Sequence, residues 1–190
     1  YFAVAQGFDK DIALAVSEHY LPNGLESVTP KKPFSVALAF TDKLDTLVGF
    51  FGIDQKPTSS KDPYALRRLA LGLIRLLIEN NKFFKIKSLI NYSITLYQEQ
   101  GFKLTNKSLN KELYDFLMDR LKYLMKDKGI RSDIIEAGIS SDSINNFTSI
   151  YNKSFLLDKI IKKEIGKDII LSYNRASNIL ENELKKNKFE

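Results

Sequence analysis

The sequence predicts an all-α protein, an irregular array of several helices, and three observations support this. Apolar residues recur at the three- and four-residue spacing of helices along nearly the whole chain, and no segment alternates as a half-buried strand does. Thirteen Phe and nine Tyr among 190 residues supply enough large apolar side chains for a folded core. Proline and glycine lie mostly between the periodic segments, where they begin or end helices.

Two helices are predicted in the first fifty residues. The first begins near Asp9, a residue type that caps helix N-termini, and ends at 21–24, where proline and Asn-Gly break it. The next covers 34–50, directly after Pro33, and its apolar surface predicts burial. On the first helix the predicted apolar side consists of Ile12, Ala13, Val16 and Tyr20.

The most strongly predicted helix covers 63–80 and follows a loop over 52–60. Asp62 and Pro63 supply an N-cap followed by proline at the first helical position. We expect this helix and the one over 108–128 to be the longest. The side chains expected to be buried on it are those of Leu66, Leu69, Leu73, Ile74 and Leu77.

Further helices are predicted over the rest of the chain. They cover 85–100, 108–128, 132–138, 143–164 and 168–186. Gly129 is suited to end the second of these, because glycine is favoured just after a helix C-terminus. A domain boundary is most compatible with residues 80–84, or later with 101–106. The first position predicts two domains, 1–82 and 83–190.

Charge and composition limit the function classes. The net charge is +6, mostly from lysine, which suits RNA or DNA as a partner but equally suits lysine-rich solvated helix faces. The absence of cysteine excludes a disulfide scaffold, a thiolate zinc site and a cysteine nucleophile. No apolar run is long enough to span a membrane and no signal peptide is visible, so we expect a cytoplasmic protein. The chain begins at Tyr1 without Met, and we interpret it as a piece of a longer one.

Two groups of titratable residues are candidates for a catalytic or metal-binding site. His19 is the single histidine; a histidine-rich metal site is therefore excluded, and a position near a helix C-terminus, where its charged form is favoured, is the simpler interpretation. Asp42 and Asp45 share a helix face and could hold a cation, or form a polar stripe with Lys43, which the spacing favours. No glycine-rich phosphate loop is present, so we do not expect an autonomous kinase or ligase.

Arginines on the helix over 63–80 form a possible basic stripe. Guanidinium groups suit phosphate because their planar forks bind two oxygens at once, and Arg67, Arg68 and Arg75 are the candidates. The alternative is intramolecular, because Arg75 precedes Glu79 by four residues and Arg68 could pair with another helix. The residues alone slightly favour this structural alternative. The lysine- and asparagine-rich segment 173–188 is first a solvated helix face and second a phosphate-binding surface.

Two longer segments carry a more specific signal. Residues 37–53 read ALAFTDKLDTLVGFFGI and residues 61–72 read KDPYALRRLALG. Both resemble the signature of the glycyl-tRNA synthetase beta-subunit family, although Thr41 stands where that family usually has Ala. Asp54 and Ser59 replace frequent glycines, so we expect a differently shaped loop there. Weaker similarities at 18–22, 114–121 and 174–180 extend the resemblance over essentially the whole chain.

The resemblance implies a part in a glycine–tRNA ligase assembled from alpha and beta subunits. In that family the alpha subunit activates glycine with ATP and Mg, and the beta subunit holds tRNA-Gly, so no cofactor and no catalytic residue are expected in this chain. Residues 1–82 would be the later part of an HD-like helical domain, and 83–190 a helical body preceding an anticodon-binding domain. The candidate tRNA-binding residues are Arg67, Arg68, Arg75 and Arg175.

The HD resemblance also implies degenerate metal positions. In HD enzymes the last metal-binding aspartate would correspond to Asp42, and an upstream ligand to His19. The defining His-Asp dyad is absent from the sequence, so we expect no bound metal at these two residues. The alternatives to a tRNA-positioning segment are a degenerate HD-type metal-dependent phosphohydrolase domain and a structural spacer.

Overall fold

A computed structural model describes residues 2–142 and 146–186, and those residues form nine α-helices and no strand. The all-α prediction is confirmed. Within the same ranges no helix combines the length and apolar character that a transmembrane span requires. The helices are α1 (Phe2–Ala5), α2 (Lys10–Glu18), α3 (Pro33–Gly52), α4 (Leu66–Glu79), α5 (Ile86–Glu99), α6 (Leu109–Asp127), α7 (Ser132–Ser140), α8 (Phe147–Ile161) and α9 (Glu164–Lys186).

The hydrophobic core surrounds α4. This helix packs against α3, α6 and α8, while α5 covers α3 and α6, and α7 pairs with α8. Four of the five predicted core residues of α4 are buried, and the fifth, Leu69, is half-buried. The apolar cluster continues from Leu44 to Ile150 and includes residues on both sides of 82. Where the chain divides into domains therefore stays a prediction.

The start of α4 differs from the prediction. Pro63 lies in a turn, and Ala65 adopts the left-handed conformation with φ 54°, so the helix begins at Leu66. Asp62 does cap the helix, but its carboxylate accepts from the backbone N–H of Leu66 at 2.8 Å and of Arg67 at 3.0 Å. Because the carboxylate of Asp62 binds backbone groups four and five residues ahead, the residues between them form a turn before the helix begins. With 14 residues α4 is shorter than α3, α6, α8 and α9, and α6 with 19 residues is shorter than α3 with 20 and α9 with 23, so the expectation that α4 and α6 would be the longest helices was wrong.

Most other helix boundaries agree with the prediction. Asp9 caps α2 by accepting from Asp11 N–H, and Gly129 follows α6 with φ 79°. The last helix begins at Glu164, four residues earlier than predicted. The predicted start of α8 falls on residues 143–145, which lie outside the described residues.

The predicted burial of the first two helices is only partly correct. On α2 only Ala15 is buried, and Ile12 and Val16 of its predicted apolar side are exposed. On α3 one side enters the core, but Phe34 and Leu38 face outward. Periodicity identified these helices, but it could not tell which apolar residues find a partner.

Candidate functional site

Arg75 lies at the C-terminal end of α4 and holds a loop of the same chain. Its Nη1 donates to the carbonyl O of Gly24 at 2.5 Å, and its Nη2 to the carbonyl O of Ser27 at 2.8 Å and the hydroxyl of Thr29 at 3.2 Å. Its Nε donates to Glu79 at 2.7 Å, the predicted four-residue pair. Only 12% of the side chain is exposed. These contacts are those of the structural alternative, and they leave little of the guanidinium for an external phosphate.

The carboxylate of Glu79 completes this cluster. Its partial burial acts to raise its pKa, but hydrogen bonds from Thr29 and Arg75 outweigh burial and hold the pKa below its usual value. Lys31 adds a long ion pair at 3.9 Å. The charged form of Glu79 is thus stabilised by the loop and by the helix together.

Arg67 is likewise engaged within the chain. Its Nη2 donates to the carbonyl O of Thr58, and its Nη1 lies 3.8 Å from the carboxylate of Asp62. Through Asp62, which also caps α4, Arg67 ties the preceding loop to the first turn of the helix. Its guanidinium is therefore a positioning group for this loop.

Arg68 has different surroundings. It is exposed, and among the described residues no hydrogen bond or ion pair of its guanidinium is present. It lines an open cavity of about 120 Å³ that we call the Arg68 cavity. The side chains that matter for its chemistry are Tyr20, Asn23, Asp42, Lys43, Tyr64 and Arg68.

Lys43 also lines this cavity and is the most completely buried charged residue described, with 1% exposed. Its amine donates one hydrogen bond, to the carbonyl O of His19 at 3.0 Å. Burial lowers the pKa of Lys43, and the charge of Asp42 opposes that shift. Gly72 makes room for the lysine stem: a Cβ there would lie 3.0 Å from Lys43 Cε and 2.9 Å from Pro22 O.

The two positions implied by the HD resemblance lie near each other but do not form a metal centre. His19 follows α2, with Nδ1 2.7 Å from the carbonyl O of Val16 and its ring packed against that of Tyr20, with centroids 3.9 Å apart. Asp42 lines the Arg68 cavity, and its neighbour Asp45 does not. In the described part of the chain no three His, Asp or Glu side chains are grouped for a metal. The residues present do not fit an HD metal site.

Arg175 is remote from these residues in the fold. It lies in the middle of α9, a helix whose described side chains are almost all exposed and which contacts only α8 closely. No ion pair or hydrogen bond engages its guanidinium among the residues described. The four candidate arginines therefore divide into two that are engaged, Arg67 and Arg75, and two that are accessible, Arg68 and Arg175.

Sequence reasoning missed three residues of the Arg68 cavity. The sequence assigns Tyr20 to an apolar helix side, Tyr64 to the first turn of a helix, and Lys43 to a polar stripe. A signal for Lys43 was present, since a lysine in a helix predicted to be buried needs a specific partner. Its partner is a backbone carbonyl 24 residues away, which no periodicity reveals.

Comparison with known proteins identifies the family of this chain. Residues 1–140 match the family model described as glycyl-tRNA synthetase beta subunit. The chain is 39% identical over 180 residues to the glycine–tRNA ligase beta subunit of Ruegeria sp., and 37% over 186 residues to that of Rhodospirillum centenum. These alignments cover 95% and 98% of this chain but 25% and 26% of the relatives, so the chain spans about a quarter of their length. The chain belongs to the glycyl-tRNA synthetase beta-subunit family.

Proposed function

We propose that this chain is the part of a glycine–tRNA ligase beta subunit that helps to hold tRNA-Gly, through backbone phosphates rather than bases. The family membership and the net charge of +6 support a tRNA partner. In this proposal an alpha subunit binds the beta subunit and activates glycine with ATP and Mg, in the cytoplasm. The chain alone should form no glycyl-adenylate.

The observation that carries the proposal is the accessible guanidinium of Arg68. An arginine without an intramolecular partner keeps its planar fork available for two phosphate oxygens. It lines the same cavity as Lys43, but the side chain of Lys43 is buried, so Arg68 is the accessible cation there. Arg175 supplies another accessible guanidinium on α9.

The competing function is that of a structural spacer between other domains of the subunit. The engaged state of Arg67 and Arg75 favours it, because both arginines stabilise the fold itself. A spacer would show no tRNA affinity beyond that of any protein of this charge. The two functions therefore differ in what determines tRNA affinity: one particular arginine if the chain holds tRNA, and only the total charge if it is a spacer.

The test is the affinity of the chain for a tRNA-Gly transcript, measured by fluorescence anisotropy. We expect micromolar or weaker binding that falls steeply with salt and depends little on the anticodon, because phosphate contacts release counterions. Arg68→Ala should weaken binding several-fold. Arg131→Ala is the control matched in charge, because Arg131 is exposed and already pairs with Asp133 at 2.6 Å. Equal losses in both variants would favour the spacer.

A further inference from the structure

The Arg68 cavity contains more chemistry than a phosphate contact requires. Beside the exposed guanidinium of Arg68 it holds the carboxylate of Asp42 and two exposed tyrosines. A surface that only attracted phosphates would gain nothing from a carboxylate, which repels them. The composition of the cavity therefore points to a ligand that carries both an anion and a hydroxyl donor.

Arg68 can take the anionic part of such a ligand. Its guanidinium is exposed, and among the described residues it has no hydrogen-bond or ion-pair partner, so its donors are available to an anion. The cavity volume of about 120 Å³ is several times that of a water molecule and admits a phosphate group.

Asp42 can take the hydroxyl. Within the described chain its carboxylate has no hydrogen-bond or ion-pair partner, although its backbone carbonyl accepts from Thr46. An ionised carboxylate only accepts hydrogen bonds, so its natural ligand is a donor such as a sugar hydroxyl. The 2′-hydroxyl is the group by which proteins distinguish RNA from DNA.

The tyrosines can take a base. Tyr20 is 70% exposed and packs against His19, and Tyr64 is 49% exposed with its ring 4.2 Å from that of Phe50. Both rings are thus held by a second aromatic ring while much of their surface stays accessible. Rings placed in this way stack unpaired bases and tolerate any sequence.

We propose that the Arg68 cavity binds one ribonucleotide of an unpaired RNA segment. Its phosphate contacts Arg68, its 2′-hydroxyl donates to Asp42, and its base stacks on Tyr20 or Tyr64. This inference rests on the proposed function and narrows it, because phosphate binding alone would not distinguish RNA from DNA. It also assigns Asp42, the degenerate metal position, a role that needs no metal.

The test compares fluorescein-labelled seven-residue oligoadenylates made of RNA and of DNA, bound to the chain at low salt. The wild type should bind the RNA about tenfold tighter, the effect of one hydrogen bond to a charged group. Asp42→Ala should bring the ratio to about one, and it should raise DNA affinity because a negative charge is removed. Asp45→Ala is the matched control: it removes an equal charge one turn away, outside the cavity, and should keep the RNA preference.

Two further measurements make the outcome decisive. The double variant Tyr20→Leu and Tyr64→Leu should lose about fivefold or more in affinity for both oligomers, as expected for lost base stacking. Circular dichroism melting shows whether each variant remains folded. Equal RNA and DNA affinity in the wild type, or an RNA preference that survives in Asp42→Ala, overturns the inference. If the inference fails but a tRNA-Gly transcript still binds in a way that depends on Arg68, the proposed function stands without the inference. If no nucleic acid binds, the proposed function and the inference are both wrong.

Discussion

The two ends of α4 carry arginines with opposite surroundings. Arg68 and Arg75 are seven residues apart, two helical turns, and so lie on nearly the same side of the helix. At the C-terminal end a loop crosses the helix and surrounds Arg75 with carbonyl oxygens. At the N-terminal end the chain leaves an open cavity, and Arg68 stays free beside it.

The difference shows that position on a helix does not decide what an arginine does. Both residues have the same chemistry and the same helical face, and they occur in one continuous segment. What separates them is the segment 24–29, which supplies two carbonyl groups and one hydroxyl as hydrogen-bond acceptors to Arg75 and none to Arg68. A basic stripe in a sequence is therefore a mixture of structural and accessible cations until the loops are known.

The largest expected effect on stability is that of removing Arg75, which is engaged by the loop at the C-terminal end of α4. Arg75→Ala removes three hydrogen bonds to the loop and leaves Glu79 without its arginine partner, so we expect the free energy of unfolding to fall by about 3 kcal/mol. Urea unfolding followed by circular dichroism measures this. Arg131→Ala, at an exposed pair, should change stability by less than about 0.5 kcal/mol. A similar small loss for Arg75→Ala would remove the distinction between the two ends.

Gly72 lies between the two arginines, where the helix closely approaches another segment. Gly72→Ala would place a Cβ 2.9 Å from Pro22 O and 3.0 Å from Lys43 Cε. Because a backbone carbonyl cannot easily move aside, we expect a loss of about 1–3 kcal/mol in the free energy of unfolding. The same urea experiment measures it. A neutral or stabilising result would show that Pro22 and its loop give way.

The start of α4 is strained, and relieving the strain should stabilise the open end. Ala65 has φ 54°, which costs a non-glycine residue about 1–2 kcal/mol. Glycine adopts this conformation freely but loses more entropy on folding, so Ala65→Gly should raise the free energy of unfolding by about 0.5 kcal/mol. Thermal melting detects such a change as a small rise in Tm. A lower Tm would mean that the Ala65 methyl group contributes more than its strain costs.

The burial of Lys43 beside the cavity predicts that the stability of the protein depends on pH. Burial lowers its pKa in the folded protein, so between the folded pKa and 10.5 the unfolded chain binds more protons. The free energy of unfolding should therefore rise as pH increases through that window. The charge of Asp42 raises the pKa of Lys43 and so makes the effect smaller. Lys43→Met should flatten this rise relative to the wild type in urea unfolding at pH values from about 7 to 10. An identical pH profile in the variant would mean that the lysine is not desolvated.

Much of the fold, and less of the site, could be predicted from the sequence. Helical periodicity located eight of the nine described helices; it missed α1, placed the start of α4 three residues too early and placed that of α9 four residues too late. The Arg75–Glu79 pair was predictable because it is local. The loop that engages Arg75, and the burial of Lys43, depend on residues 24 to 51 positions away, and no local pattern encodes such contacts.

The resemblance identified the family from the sequence alone, and it located the segments that build the cavity. It did not show that Tyr64 would lie outside α4, because the left-handed Ala65 follows from the way Asp62 closes its turn. The role of the two candidate metal positions stays a prediction. The ring of His19 contacts the backbone carbonyl of Val16, and the carbonyl of His19 accepts from Lys43, contacts that the sequence did not reveal.

The most direct test of the account is the salt dependence of tRNA-Gly binding in two single variants, Arg68→Ala and Arg75→Ala. Binding constants are measured from low to moderate salt, at a temperature where melting shows that both variants are folded. We expect the slope of log K against log salt to become shallower by about one in Arg68→Ala and to stay unchanged in Arg75→Ala. An unchanged slope in Arg68→Ala, or a shallower one in Arg75→Ala, would contradict the assignment of the two ends.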